Sequence, residues 1–281
     1  MTSTSFLEHE IPIVISSSLT SGAKNKSSDG SRFEVAFEGG FQIPKGSHNC
    51  TVAVETATVW WSVPNVITGT NDKFKITGPD TADSSTVYNL TIPQGLYNLS
   101  ELNQTIQREL ENAGAKVSPS PLIRLTADEA TGKVEFDIDY TTVTVDLTAA
   151  DSIGPLLGFA AATYGPYATA PQVVLAPNVA AFNSVNYFLL HSDMCDTGMR
   201  VNNTYNQTIA QVLIDVAPGS QIIATPNHPP KVACNNLVGS NRTHIRFWIT
   251  DDQNRAVNTN GEDWSARLVL KYHIPFASVG K

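Results

Sequence analysis

The sequence predicts an all-β protein built from antiparallel sheets, a sandwich or barrel, with one small α+β elaboration. Three observations lead there. Short runs of alternating apolar and polar residues, bounded by Gly, Pro, Asn and Ser, recur at spacings of roughly ten residues, the pattern of strands joined by turns. Only one sizeable stretch, beginning at Asn98, changes to helical periodicity. The end of the chain, His244 to Ile274, reads as two long strands separated by a polar turn.

Taken in order, residues up to about Gly30 are poor in apolar side chains apart from Ile11 to Ile15, and Ser16 to Ser31 is a Ser/Gly/Lys stretch unable to bury a core. Residues 1–30 are therefore expected to form a flexible N-terminal arm, either disordered or ordered by adding to a neighbour's sheet. The folded body, 31–281, opens with Phe33, Val35 and Phe37 alternating with Arg32, Glu34 and Ala36, and Gly39-Gly40 marks a bulge or bend. Pro44-Lys45-Gly46-Ser47 is a turn before a Thr/Val-rich strand over Cys50 to Val63. Trp60-Trp61 places one large ring on each face of that strand, at least one of them in the core. Lys73 to Ile76 and Tyr88 to Ile92 are further strands.

Asn98-Leu99-Ser100-Glu101 has the N-cap and acidic third position of a capping box, and Leu99, Leu102, Ile106 and Leu110 follow at helical spacing until Gly114. This is one amphipathic helix of about four turns. Strands are expected at Leu122 to Thr126, Lys133 to Ile138 and Thr142 to Leu147, then a helical turn at Ser152 to Leu157 that stops at Gly158. Residues 88–159 are thus expected to form the helix-containing elaboration. Strands resume at Gln172 to Leu175, Asn186 to His191, Thr208 to Val216, Gln221 to Ala224 and Lys231 to Ala233.

In the final stretch Ile245, Phe247 and Ile249 share one strand face and Arg246, Trp248 and Thr250 the other. Ala266, Leu268, Leu270, Tyr272 and Ile274 then alternate with Arg267, Val269, Lys271 and His273, and Pro275 is expected to end the strand. The Asp251 to Asn254 and Asn258 to Gly261 segments supply turn chemistry, so the two strands are expected to pair as a closing hairpin.

Composition narrows the function. The chain has 281 residues, a formal net charge of -8 and 16% charged residues, which disfavours a dedicated nucleic-acid binder that needs a basic stripe. Cys50, Cys195 and Cys234 are odd in number, without C-x-x-C spacing, and are expected to be reduced and buried. There is no basic-plus-apolar signal segment and no apolar run near the length of a membrane span, so synthesis in a cytosol is expected and the Asn-x-Ser/Thr sequons are discounted.

The sequence carries no motif for catalysis or metal binding. His9, His48, His191, His228, His244 and His273 show no metal-ligand spacing. Asp137 and Asp139 stand two apart on a strand, a carboxylate pair in outline, but no base or nucleophile motif accompanies them. No phosphate-binding glycine loop or nucleophile elbow occurs. No catalytic, cofactor-binding or metal residue is assigned, and no enzyme activity is expected.

Three stretches resemble the jelly-roll minor capsid (penton) proteins of Polinton-like viruses, adintoviruses and virophages. The first runs from Ile92-Pro93-Gln94-Gly95-Leu96-Tyr97 through Leu102-Asn103 and Ile123-Arg124-Leu125 to Asp151-Ser152-Ile153-Gly154-Pro155-Leu156-Leu157-Gly158-Phe159. The second is Val216-Ala217-Pro218-Gly219 with Ile222 and Pro226, and the third Ile249 to Gln253 with Gly261-Glu262. The resemblance implies a jelly roll and a structural subunit: homopentamers at the vertices of an icosahedral virion, beside the major capsid protein and other vertex proteins. A double-jelly-roll major capsid protein is the near rival, although it needs about sixteen strands. A carbohydrate- or receptor-binding sandwich, with Trp60, Trp61, Trp248 and Trp264 as sugar platforms, is the rival from another class.

Overall fold

Phe33, Phe247 and Trp264, far apart in the chain, meet in one interior cluster: Phe33 stacks on Phe247 with centroids 5.8 Å apart and meets the Trp264 indole edge-on at 4.9 Å. The computed structural model describes residues 4–183 and 185–277. The chain divides into two compact units, one made of Met1–Val63 and Val185–Lys281, the other of Pro64–Ser184.

The first unit contains β1 (Thr4–Ser16), β2 (Ala23–Lys24), β3 (Arg32–Gln42) and β4 (His48–Trp60) before the insertion. After it come β12 (Tyr187–Ser192), β13 (Met199–Val201), β14 (Thr204–Leu213), β15 (Gln221–Ala224), β16 (Val232–Ala233), β17 (Asn241–Thr250) and β18 (Ser265–Ala277). One sheet has the order β1-β18-β4-β15, with β16 also on β4; the other has the order β13-β14-β12-β17-β3-β2. Set aside the short β2, β13 and β16, and the remaining strands are, in chain order, first-eighth-third-sixth in one sheet and fifth-fourth-seventh-second in the other. That alternation is the jelly roll: two Greek keys folded into a two-sheet antiparallel sandwich. Its interior is filled by the inward positions of both sheets, among them Val52, Val54, Phe188, Leu190, Ile245, Ile249, Leu268 and Leu270.

Local chemistry explains the bends. Gly46, with φ +88°, takes the left-handed position of the turn in which Ser47 N donates to Pro44 O at 3.2 Å. Gly39 and Gly40, both left-handed, lie where the β3–β17 register jumps from Phe41↔Arg242 to Ala36↔His244, so the expected bulge is present.

The structure departs from the sequence expectation in four places. β17 and β18 do not pair as a hairpin; β17 lies between β12 and β3, whereas β18 lies between β1 and β4 in the other sheet. Period-two alternation specifies which face of a strand is buried, not its neighbour, and the faces are as expected. The intervening turn residues knit the crossing: Asp251 accepts from the Gln253 and Arg255 backbone, and Thr259 N donates to Asp29 O. Pro275 does not end β18. It pairs in register with Phe6 of β1, beyond His273, the last residue of β18 that pairs with β4, so its missing N–H costs no bond on that side.

Nor do the described residues of 1–30 form a flexible arm. β1 pairs with β18 from Thr4↔Ala277 to Ser16↔Ser265, with Ile13 and Ile15 buried. The Ser/Gly/Lys stretch after it is held by polar groups rather than apolar burial. Ser17 Oγ donates to Asp263 and accepts from Trp264 N, Trp264 Nε1 donates to Gly30 O, and Lys26 pairs with Asp263 at 2.5 Å.

Finally, the elaboration is larger than 88–159. It comprises β5 (Lys73–Pro79), β6 (Ser85–Thr91), α1 (Leu99–Asn112), β7 (Arg124–Asp128), β8 (Lys133–Ile138), β9 (Thr144–Asp146), α2 (Gly154–Leu157), β10 (Thr163–Tyr164) and β11 (Gln172–Leu175). Its sheets are β10-β9-β5-β6 and β11-β8-β7, so β5 and β11, outside 88–159, supply partners without which both sheets would be short. The helix forms as its sequence dictates. Asn98 and Glu101 make the reciprocal capping box, and at the other end Ala115 N bonds Leu110 O and Gly114 N bonds Glu111 O, a Schellman closure. Leu102, Ile106 and Leu110 are buried in one core with Phe74, Phe136 and Phe159. Phe159 stacks on Phe136 at 3.9 Å, and Asn103 Oδ1 accepts from Leu125 N at 2.9 Å. The stretches from Leu102 to Phe159 that carry the family resemblance are therefore the packing determinants of this unit.

Candidate functional site

β17 presents its polar face outward at the centre of its sheet. Ile245, Phe247 and Ile249 are buried, while Arg246 is exposed and Trp248 half-buried. Register places His191 of β12 beside Trp248 on one flank and Arg32 of β3 on the other. The His191 and Trp248 rings stack with centroids 5.3 Å apart and planes 6° from parallel.

His191 is fully buried. Its Nδ1 lies 2.8 Å from Asn206 O, and its Nε2 2.8 Å from Thr250 Oγ1. A carbonyl can only accept, which puts the proton on Nδ1 and leaves Nε2 to accept from the threonine hydroxyl. Burial pushes the imidazole pKa down to about 4 against the pull of the Asn206 bond, so the ring is neutral at pH 7. Arg246 donates through Nε to Asp193 Oδ2 at 2.9 Å, and this carboxylate raises the guanidinium pKa further.

Above this face is a cavity of about 480 Å³ whose lining includes Ser27, Asp29, Ser31, Arg32, Arg246 and Trp248. Burial would raise the Asp29 pKa, but bonds from Ser27 and Ser31 outweigh it and hold the carboxylate below its ordinary range. An indole bordered by guanidinium, hydroxyl and carboxylate groups can bind a planar or polar partner.

The second candidate surface is the sheet edge. β1 has β18 as its one partner among the described residues and leaves the other side of its backbone unpaired. Phe6, Leu7 and Val14 on it are 52%, 54% and 76% exposed. Within the sheet Glu10 pairs with Lys271, and Glu8 lies 3.6 Å from Lys271 Nζ and 3.4 Å from His273 Nε2.

The residues weighed from sequence are distributed as follows. Trp264 and Trp61 are interior, at 2% and 9% exposure, leaving only Trp60 and Trp248 of the four indoles half-buried. Asp137 accepts from Thr126 Oγ1 at 3.2 Å, while Asp139, past the end of β8, pairs with Arg124 at 3.3 Å. Each carboxylate thus has a structural partner. Among the described residues no group of three His, Cys, Asp or Glu could hold a metal. Two features escaped sequence reading. His191 looked like any strand histidine, and Cys50 and Cys234, remote in sequence, have their sulfurs 3.3 Å apart. No spacing rule signals a contact created by pairing strands so far apart in the chain.

No family model and no curated protein matches this chain. Among solved structures it is similar to a selenomethionine-labelled mavirus penton protein, with 8% identity and a TM-score of 0.46 over 95% of this chain and 100% of that one. The jelly-roll assignment rests on the strand order given above.

Proposed function

We propose that this protein is a structural subunit of an icosahedral virus capsid, the penton at its vertices, acting as a homopentamer beside the major capsid protein. The observation that supports this reading best is the combination of a single jelly roll with penton-like sequence stretches that pack the inserted unit. The long unpaired edge of β1, with its exposed Phe6, Leu7 and Val14, suits a subunit whose surface is completed by neighbours. The rival of a double-jelly-roll major capsid protein is disfavoured. The sheets of the inserted unit, β10-β9-β5-β6 and β11-β8-β7, lack the jelly-roll order.

On this reading the protein is made in a host cell and ends in the virion, with no catalytic role and no dedicated nucleic-acid contact. No helix among the described residues is long and apolar enough to cross a membrane. The test is the position of the protein in a particle reconstruction. Density for five copies around each five-fold axis supports the proposal; density on the facets would reassign it to the major capsid.

The Trp248 face favours one second reading, a carbohydrate- or receptor-binding sandwich. A glycan array with wild type and Trp248→Ala decides it: binding lost in the variant supports it, and no binding by either removes it.

A further inference from the structure

We infer that Cys50 and Cys234 are a latent disulfide pair, a thiol modification site that joins β4 to the β16 segment when the protein meets a low-molecular-weight disulfide. Register is the first ground. β16 pairs with β4 as Val232↔Val52 and Ala233↔Thr51, so the next antiparallel pair is Cys234 opposite Cys50, and Cys234 N donates to Cys50 O at 2.9 Å. Directly opposed residues of an antiparallel pair have Cα atoms about 4.5–5.5 Å apart, within the span a disulfide bridges.

The side chains already converge. The two sulfurs lie 3.3 Å apart, and a bond at about 2.05 Å needs them to close by little more than about 1 Å. The Cys234 segment is also fixed from its other side. Asp196 N donates to Ala233 O, and the Asp196 carboxylate accepts from Asn235 N at 3.1 Å and Asn236 N at 2.8 Å.

The third thiol is turned elsewhere. Cys195 Sγ points at Ser192 O, 3.1 Å away, and burial raises its pKa to about 12. The hydrogen bond between the two thiols lowers the Cys50 pKa and raises that of Cys234, so Cys50 is the sulfur that attacks first. The chemistry is two exchanges with a small disulfide RSSR. The Cys50 thiolate attacks one sulfur, forming a mixed disulfide and expelling RS⁻. The Cys234 thiolate then attacks the Cys50 sulfur, forming the protein disulfide and expelling a second RS⁻. The two protein thiol protons end on two RSH; the protein is oxidised by two electrons and RSSR reduced by two. All three cysteines are buried, so access comes during folding or through release of β16, a strand of two residues.

The bond would close a loop over the 184-residue separation of the two cysteines, which includes the whole inserted unit. Cross-links over long loops restrict the unfolded chain most. The inference is independent of the capsid reading.

The test refolds the reduced full-length chain in a buffer of oxidised and reduced glutathione, then maps peptides by mass spectrometry without reduction. The expected result is one Cys50–Cys234 cross-linked peptide, free Cys195, and a melting temperature raised by roughly 5–10 °C over the reduced protein. Cys195→Ser should keep the cross-link, and Cys50→Ser should abolish it. Soluble refolded protein with three free thiols, a bond that includes Cys195, or glutathione retained on Cys50 would each overturn the inference.

Discussion

The imidazole of His191 lies flat beneath the indole of Trp248, in register across β12 and β17, with ring centroids 5.3 Å apart. The tryptophan is thus both the roof over a buried neutral histidine and the floor of the outer cavity. Its neighbour in sequence, Phe247, points into the sandwich against Phe33. Phe247→Ala should destabilise the isolated protein by about 3–5 kcal/mol and Trp248→Ala by about 1–2 kcal/mol. Denaturant unfolding of the two variants measures this; equal losses would mean that Trp248 belongs to the core.

The same histidine should make the protein acid-sensitive. Its folded pKa of about 4 lies below the ordinary 6.5, so between these values the unfolded chain binds the proton and the folded one does not. Stability is therefore full above about pH 6.5 and falls as the pH drops towards 4, by on the order of 3 kcal/mol in total. His191→Gln should flatten that slope. Stability curves of wild type and variant that run parallel from pH 7 to pH 4 would contradict the assignment.

In the inserted unit the helix should respond by face. Ile106 is fully buried, whereas the Arg108 side chain is 59% exposed and, among the described residues, bonded only to the adjacent Glu109. Ile106→Ala is expected to cost about 2–5 kcal/mol and Arg108→Ala less than about 0.5. Asn98→Ala, which removes one half of the capping box, should cost about 1 kcal/mol. Thermal melts resolve the three, and a neutral Asn98→Ala would show that the cap contributes nothing.

The N-terminal segment should be required for folding. Deleting residues 2–16 removes β1 with Ile13 and Ile15 and exposes the flank of β18, and the shortened chain is expected to aggregate or melt well below the full protein. A milder probe is Ser17→Ala, which leaves Trp264 N without its acceptor and should cost about 1–3 kcal/mol. An unchanged melting temperature after the deletion would mean that β1 is dispensable to the sandwich.

These expectations mark where the sequence was legible. Local chemistry reads directly: the Asn98 cap, the Gly39-Gly40 bulge and the inward set Ile245, Phe247 and Ile249 are each dictated by neighbours a few residues away. Pairing across the fold does not. The alternation in β17 and β18 is the same whether they form a hairpin or lie in opposite sheets, so nothing local separates the two. Likewise Ser16 to Ser31 is too polar to build a core, yet Ser17, Lys26 and Gly30 find partners at Asp263 and Trp264, and a segment held by hydrogen bonds leaves no apolar trace. The Ile11 to Ile15 run was the one local sign that β1 belongs to a sheet. The Trp248 cavity needs Arg32 and Ser27 brought beside β17, which only the sandwich does.

We propose that this chain is a vertex subunit completed by copies of itself, and the mass of the purified protein in solution tests that proposal most directly. Native mass spectrometry across a range of concentrations should give a species at five times the 30.3 kDa chain mass. A protein that stays monomeric at every concentration, or that settles as a trimer, would contradict the penton assignment.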